Sequence, residues 1–156
     1  MVKILSAKPD DCDEIIQLQQ LAYEAEAKLY DDWTLLPLLQ TEDSLQQELE
    51  TSLILKAVEG NKIVGSVRAK LVENICHIGR LIVHPDFQGQ GIGSKLLREV
   101  EEHFSQAFHY ELFTGSKSER NIRFYVRNDY EVSHTKVLTE KISLIYLIKK
   151  PIAATF

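Results

Sequence analysis

The chain is poor in the material from which several kinds of protein are built. Cysteine occurs only at Cys12 and Cys76, which excludes a disulfide-stapled scaffold and, without metal-ligand spacing, a cysteine zinc site. Both read as free thiols in a reducing compartment, and Cys76 falls in an apparent strand where a small buried hydrophobe fits. The five histidines are scattered, none at zinc-site spacing from a cysteine or carboxylate, so no metal is expected. Long apolar runs are missing too. The longest, Ile142 to Ile148, has seven residues including a serine, far short of the ~20 that span a bilayer. No signal-like apolar stretch precedes the acids Asp10, Asp11, Asp13 and Glu14. A cytoplasmic protein without a membrane partner is expected. Positive charge is outnumbered, with 18 Lys and Arg against 23 Asp and Glu and a net charge of −5. That balance argues against nucleic acid, whose binding needs clustered positive charge, and leans toward a cationic substrate.

What remains is an ordinary globular composition, 44% hydrophobic and 26% charged. At 156 residues without internal repeat or linker, one domain covering 1–156 is the simplest organisation. Val2 to Ser6 reads as a strand, and Pro9-Asp10-Asp11 as a helix start. Ile15, Leu18, Ala22 and Ala25 give a helical stripe. The pattern turns irregular from Trp33 to Leu39, and Thr41-Glu42-Asp43-Ser44 opens a short helix to about Leu49. Leu53 to Val58, Ile63 to Leu71 and Ile75 to Val83 read as strands, joined by turns at Gly60-Asn61 and Glu73-Asn74. A long helix follows from Ile92 to about Phe104, then a strand from Glu111 to Gly115 and a helix from about Ser118 to Arg127. Strands at about Tyr130 to Leu138 and Ile142 to Lys149 close the chain. The outline is βααββββ, helix, β, helix, ββ, with about one strand open. It describes an α/β layer architecture with a largely antiparallel sheet.

The segment from Leu81 to Leu97 carries the most information. An apolar run, Leu81-Ile82-Val83, stops at His84-Pro85. Three glycines then alternate, Gly89, Gly91 and Gly93, inside Gln88-Gly89-Gln90-Gly91-Ile92-Gly93-Ser94. Apolar residues at 92, 96, 97, 100 and 104 follow at helical spacing. Such a strand-to-helix turn lets the backbone approach a ligand and aims free N–H groups at an anion. A phosphate-bearing ligand is implied. The Walker A pattern fails because Ser94 separates Gly93 from Lys95. The dinucleotide pattern fails because its third glycine would fall on Ser94 or Leu96. The spacing Gln88-x-x-Gly91-x-Gly93 instead resembles the pyrophosphate loop of the GNAT superfamily of acetyl-CoA-dependent N-acetyltransferases. The flanking Leu81-Ile82-Val83 and Ser94-Lys95-Leu96-Leu97 match that family as well.

A second segment supports the resemblance. Ser118 to Tyr130 is similar to the GNAT helix that ends in a tyrosine, three residues, then usually glycine and an aromatic. Tyr125 falls on the tyrosine, Tyr130 on the aromatic, and Asp129 on the glycine. Asp enters left-handed conformations more readily than most residues. The family's CoA-contacting Asn corresponds in position to Ser118, with Asn121 three residues on, so the two share that candidacy. With the whole outline in register, the resemblance implies the GNAT fold, a twisted, mostly antiparallel sheet flanked by helices. It implies acetyl-CoA as cosubstrate, held by Leu81, Ile82, Val83, Gln88, Gly89, Gln90, Gly91, Ile92, Gly93 and Ser94.

It also implies roles. Tyr125 is the expected acid for the departing thiolate, against a bland reading in which its ring only packs. A residue eleven positions before the loop glutamine serves as base in several family members, and here that is His77. A relay of ordered water is the competing base. On a regular strand His77, Gly79, Leu81 and Val83 would share a face, a parity that the family's usual bulge breaks. Lys95 and Arg98 are candidates for CoA phosphates. Glu24, Glu26, Asp31, Asp32, Glu42 and Asp43 are candidates for an acceptor site, although a solvated acidic face accounts for them more simply, and Tyr23, Tyr30 and Trp33 fit core or cleft equally. The expected activity is acetyl transfer to a primary amine by direct attack in a ternary complex, with a small cationic amine as acceptor. A protein-lysine or N-terminal acetyltransferase and a non-catalytic acyl-CoA-binding module are the alternatives. A homodimer is compatible with either.

Overall fold

The computed structural model describes residues 1–152. A short strand β1 (Lys3–Ser6) leads through a 3-10 turn at Pro9–Asp11 into the helix α1 (Cys12–Tyr30). A one-turn helix α2 (Leu36–Leu39) and α3 (Glu42–Glu48) follow. Three strands come next, β2 (Leu53–Glu59), β3 (Lys62–Val72) and β4 (Ile75–Val83), then α4 (Ile92–His103), β5 (His109–Gly115), α5 (Glu119–Arg127), β6 (Glu131–Val137) and β7 (Ser143–Lys149). The expected segments all form. Two details of the outline are corrected. Three strands, not four, lie between α3 and α4, because the turns at Gly60 and at Glu73-Asn74 close directly. Glu73 and Asn74 both take positive φ, 50° and 67°, the signature of a tight hairpin turn that follows the strand twist. The irregular stretch from Trp33 to Leu39 contains α2, where Pro37 stands in the first turn, a position that needs no amide hydrogen.

The seven strands form one sheet in the order β1-β2-β3-β4-β5-β7-β6, and every neighbouring pair is antiparallel except β4 with β5. β2 and β3 are covered on both faces. On one face Cys12, Ile15 and Leu18 of α1 and Leu45 of α3 pack with Ile54, Ile63 and Ile82. On the other, Leu96, Leu97 and Val100 of α4 and Tyr125 of α5 pack with Leu55, Val67, Ala69, Cys76 and Ile78. Gly65 permits the close approach of α4. A side chain there would press on the Ile82 carbonyl at 3.1 Å and on Ile92 and Leu96 at 3.2 Å.

Two irregularities position the site. The parallel ladder between β4 and β5 has only three rungs, ending at His77 opposite Glu111. Beyond it the two strands part, so the β5-facing edge of β4 from Ile78 to Val83 has no ladder partner among the described residues. The second irregularity is a bulge. Ser66 pairs with Ile82 and Arg68 with Gly79, so Arg80 and Leu81 together oppose Val67. Arg80 takes φ 52°, costly for a residue with a Cβ. The bulge breaks the parity of a regular strand. His77 and Gly79 look toward α1 and α3, as Ile82 does, whereas Leu81 and Val83 pack with the α4 side.

Candidate active site

Past β4 the chain makes a 3-10 turn, Pro85–Phe87, capped by the His84 imidazole accepting from the Asp86 amide at 3.1 Å. The Gln88 side chain donates back to the Val83 carbonyl at 3.4 Å. Gly89 and Gly91 then take φ 78° and 81°, and Gly91 is the N-cap of α4. The first bond of the helix runs from the Lys95 amide to the Gly91 carbonyl at 3.0 Å. The amides of Ile92, Gly93 and Ser94 therefore have no preceding carbonyl within the helix, and the cap has no side chain to occupy them. No protein atom lies within 4 Å of where a Cβ on Gly91 would stand. Gly93 differs. It is helical, and a Cβ there would meet the Phe124 ring at 3.0 Å. Its glycine serves the packing of α4 on α5.

Tyr125 is buried between Phe124 and Tyr130, with ring centroids at 5.3 Å and 6.1 Å. Its hydroxyl makes no hydrogen bond among the described residues. Burial holds that hydroxyl well above the ordinary tyrosine range, with smaller contributions from Tyr23 and Glu26, so it stays protonated at neutral pH. Tyr130 is committed elsewhere, donating to Glu101 at 2.8 Å. Asp129 takes φ 73°, the left-handed conformation usually filled by glycine. Glu26 reaches from α1 to α5, accepting from the Ser118 hydroxyl at 2.6 Å and from the Asn121 amide at 3.2 Å. Both candidates for the CoA contact thus brace α5 against α1. Asn121 keeps its carbonyl oxygen free of protein partners among the described residues. Tyr30 closes this corner by accepting from the Lys117 amide at 2.9 Å. A side chain at Gly115 would overlap its ring.

His77 stands where β4 and β5 part. Its side chain is 47% exposed, and its Nδ1 lies 3.7 Å from Glu111 Oε1, beyond hydrogen-bond reach. It opens onto a cleft of about 250 Å³ lined by Glu48, Arg68, Lys70, Arg80 and Phe113 among others. Sequence reasoning missed Arg68 and Arg80. Arg68 is 5% exposed and donates to Gln40 at 2.9 Å, to both Glu48 oxygens at 3.1 and 3.2 Å, and to Gln19. Arg80 makes no hydrogen bond or ion pair among the described residues. Their signal was a charge inside apolar strand stretches, Val67-Arg68-Ala69 and Gly79-Arg80-Leu81. Of the six carboxylates considered for an acceptor site, none lines this cleft; only Glu26 reaches toward Tyr125, through the bonds to Ser118 and Asn121. Asp32 accepts from the Thr34 amide at 2.9 Å, and Glu24, Asp31, Glu42 and Asp43 are exposed. Trp33 is exposed as well. Lys95 donates to the Val2 carbonyl at 3.2 Å, and Arg98 is exposed.

A mostly antiparallel sheet whose two central parallel strands part beside a glycine turn is the architecture that the sequence resemblance implied. The chain matches the acetyltransferase (GNAT) family over residues 12–130, and it belongs to that family. It is 35% identical over 86 residues to an aminoalkylphosphonate N-acetyltransferase of Salmonella typhimurium, a match covering 50% of this chain and 56% of that one. The chain thus spans about half the length of this curated relative. Solved structures share the fold at low identity. The PaiA N-acetyltransferase of Thermoplasma acidophilum, solved with coenzyme A, superposes with TM-score 0.81 at 17% identity, over 96% of this chain and 99% of that one. The ribosomal-protein-S18-alanine N-acetyltransferase of Escherichia coli superposes with TM-score 0.79 at 16% identity, over 99% and 97%.

No helix of the described residues is long and apolar enough to cross a membrane. Both cysteines are buried free thiols, and burial pushes the Cys76 thiol up to about 12.

Proposed function

We propose that the chain, as a single domain over 1–156, transfers an acetyl group from acetyl-CoA to a small primary amine by direct attack, with both substrates bound together. The observation that carries this is the parting of β4 from β5 beyond His77. It leaves an open backbone edge on β4 that runs into the free amides at the start of α4. The pyrophosphate lies on the amides of residues 89–94, with Gln88 at the entrance. The amide-bearing arm pairs with the backbone of Leu81, Ile82 and Val83, completing a ladder that β5 does not complete. Asn121 receives the arm through its free carbonyl oxygen, and Ser118 holds Asn121's helix in place.

The reaction then asks three things of the chain. The ammonium of the acceptor must lose a proton, since a primary amine with a pKa near ~10.4 is mostly charged at neutral pH. His77, with Glu111 beside it, takes that proton directly or through water. The amine nitrogen forms its bond to the thioester carbon, and the carbonyl oxygen gathers negative charge against an open β4 amide. The carbon–sulfur bond breaks, Tyr125 donates its proton to the sulfur, and the second proton of the attacking nitrogen, which the amide cannot keep, returns through water to the Tyr125 oxygen. Burial keeps that hydroxyl protonated but makes it a weaker acid than a thiol, so the transfer is drawn by the charge that gathers on the sulfur as the bond breaks. Free buried thiols fit a reducing, cytoplasmic setting.

The test is release of free thiol from acetyl-CoA with a panel of acceptors, the products identified by mass spectrometry. The panel holds aminoalkylphosphonates, amino acids, polyamines and lysine peptides. Turnover on a short amine supports the reading. Tight acetyl-CoA binding without turnover on any acceptor identifies a non-catalytic acyl-CoA-binding module instead.

A further inference from the structure

The acceptor cleft carries a positive charge for which the protein supplies no partner. Arg80 sits at the β4 bulge, where a positive φ turns it out of the strand's alternation and into the cleft with His77 and Arg68. Its Nη1 is buried without a hydrogen bond, and so is the Nε of Arg68. Buried guanidinium nitrogens are ordinarily satisfied, because an orphaned donor loses its hydration with no return. The groups around Arg80 deepen the imbalance. Lys70 and His77 line the same cleft, and its acid, Glu48, is already bound by Arg68 at 3.1 Å. Arg80 and Arg68 repel each other, which joins burial in holding Arg68 below its ordinary range. Tyr23 of α1 is close enough to feel both guanidiniums, and its hydroxyl has no hydrogen bond among the described residues.

Two cations with orphaned donors and a free phenol describe a receptor for an oxyanion. Its place excludes the CoA pyrophosphate as the occupant. Arg80 stands three residues before the end of β4, about 10 Å from its tip, and it lines the sheet face opposite α4. His77 lies in the same cleft, so an anion held at Arg80 directs the far end of a short molecule toward the point where β4 and β5 part.

Resting on the acetyl-transfer reading above, we propose that the acceptor is a short zwitterion. Its ammonium is the acetylated end, and its other end is a phosphonate, phosphate or carboxylate bound by Arg80, with Arg68 and Tyr23 completing the subsite. The cationic amine expected from the sequence thereby keeps its ammonium and gains an anion.

The experiment measures two things on the full chain and on its Arg80→Leu and Arg80→Lys variants. One is calorimetric binding of 2-aminoethylphosphonate, β-alanine and propylamine without acetyl-CoA. The other is thiol release with acetyl-CoA and each amine. The expected result is binding and kcat/KM about 10- to 100-fold better for an anionic amine than for propylamine. In Arg80→Leu that ratio collapses toward one, mainly through KM, and Arg80→Lys restores part of it. Comparing the phosphonate with β-alanine assigns the oxyanion. Binding of the anionic amine without turnover sinks the transferase reading and leaves the subsite standing. Turnover of propylamine as efficient as that of both anionic amines overturns the subsite and leaves the transferase. A preference that Arg80→Leu does not change overturns it too.

Discussion

The glycine turn after β4 and the cleft beside β4, which the proposed reaction uses together, are built from opposite materials. The turn is made of backbone. Gly89 and Gly91 at positive φ and the amides of residues 92–94 do its work, and side chains are mostly kept away. The cleft is made of side chains from four elements: Glu48 from α3, Arg68 and Lys70 from β3, His77 and Arg80 from β4, and Phe113 from β5. A backbone site needs a particular residue type at a particular spacing, so it is written locally in the chain. A side-chain site assembled across a sheet has no local spacing. One region can therefore be shared by a whole family while the other is free to differ.

Breaking the backbone site has the largest expected effect. Gly91→Val should weaken acetyl-CoA binding by about 100-fold or more, equivalent to roughly 2.7 kcal/mol. Its cost in stability should be limited to the strain of a left-handed residue, about 1–2 kcal/mol, because no protein atom lies within 4 Å of the new Cβ. Calorimetry and thermal unfolding on the same sample check both parts. Unchanged acetyl-CoA affinity in a folded variant would remove the turn from the ligand site.

Tyr125→Phe comes next. It should lower kcat by about 100-fold, the low end for a lost proton donor, with little change in the KM for acetyl-CoA. Because burial raises the Tyr125 pKa, the acid remains protonated through the usual assay range. The wild-type rate should show no alkaline decline below pH ~10, the ordinary tyrosine value. A decline near pH 8 would point to another acid.

On the side-chain half, His77→Gln should lower kcat/KM for the amine by about tenfold at pH 7. The deficit should shrink as pH approaches the amine's own pKa of ~10.4, where the acceptor no longer needs a base. A deficit constant with pH would reduce His77 to shaping the cleft. The smallest effect separates Asn121 from Ser118. Asn121→Ala should raise the KM for acetyl-CoA about three- to fivefold, the worth of one modest hydrogen bond. Ser118→Ala should instead lower the melting temperature, since its hydroxyl is 2.6 Å from Glu26. The opposite assignment of the two effects would make Ser118 the ligand contact.

The same contrast explains what was legible in the sequence. β4 was bounded at Ile75 and Val83 by its turn residues and apolar run, and α4 by Gly91 and the stripe at 92, 96, 97 and 100. Tyr125 and Tyr130 were picked out by resemblance to the family's helix, with Asp129 in place of its usual glycine. A bulge in β4 was expected from the family resemblance alone, and its position at Arg80 was not legible, because it arises when two β4 residues oppose the single residue Val67, and register between distant strands has no local signal. α2 was missed because a single turn around Pro37 is too short to show a period. The acids of α1 and α3 suggested a negative acceptor site, but sequence could not show that most of them face away and that Arg68 and Arg80 converge instead. Gly93 was read with its neighbours as a phosphate glycine; that a Cβ there would also meet the Phe124 ring at 3.0 Å was not legible.

The account holds that the backbone site and the side-chain site are occupied together when the amine attacks. Initial rates of thiol release, measured over a matrix of acetyl-CoA and 2-aminoethylphosphonate concentrations, test that directly. Double-reciprocal lines that intersect are the predicted result, because neither substrate is consumed before the other binds. Parallel lines, together with an acetylated protein isolated in the absence of amine, would contradict it.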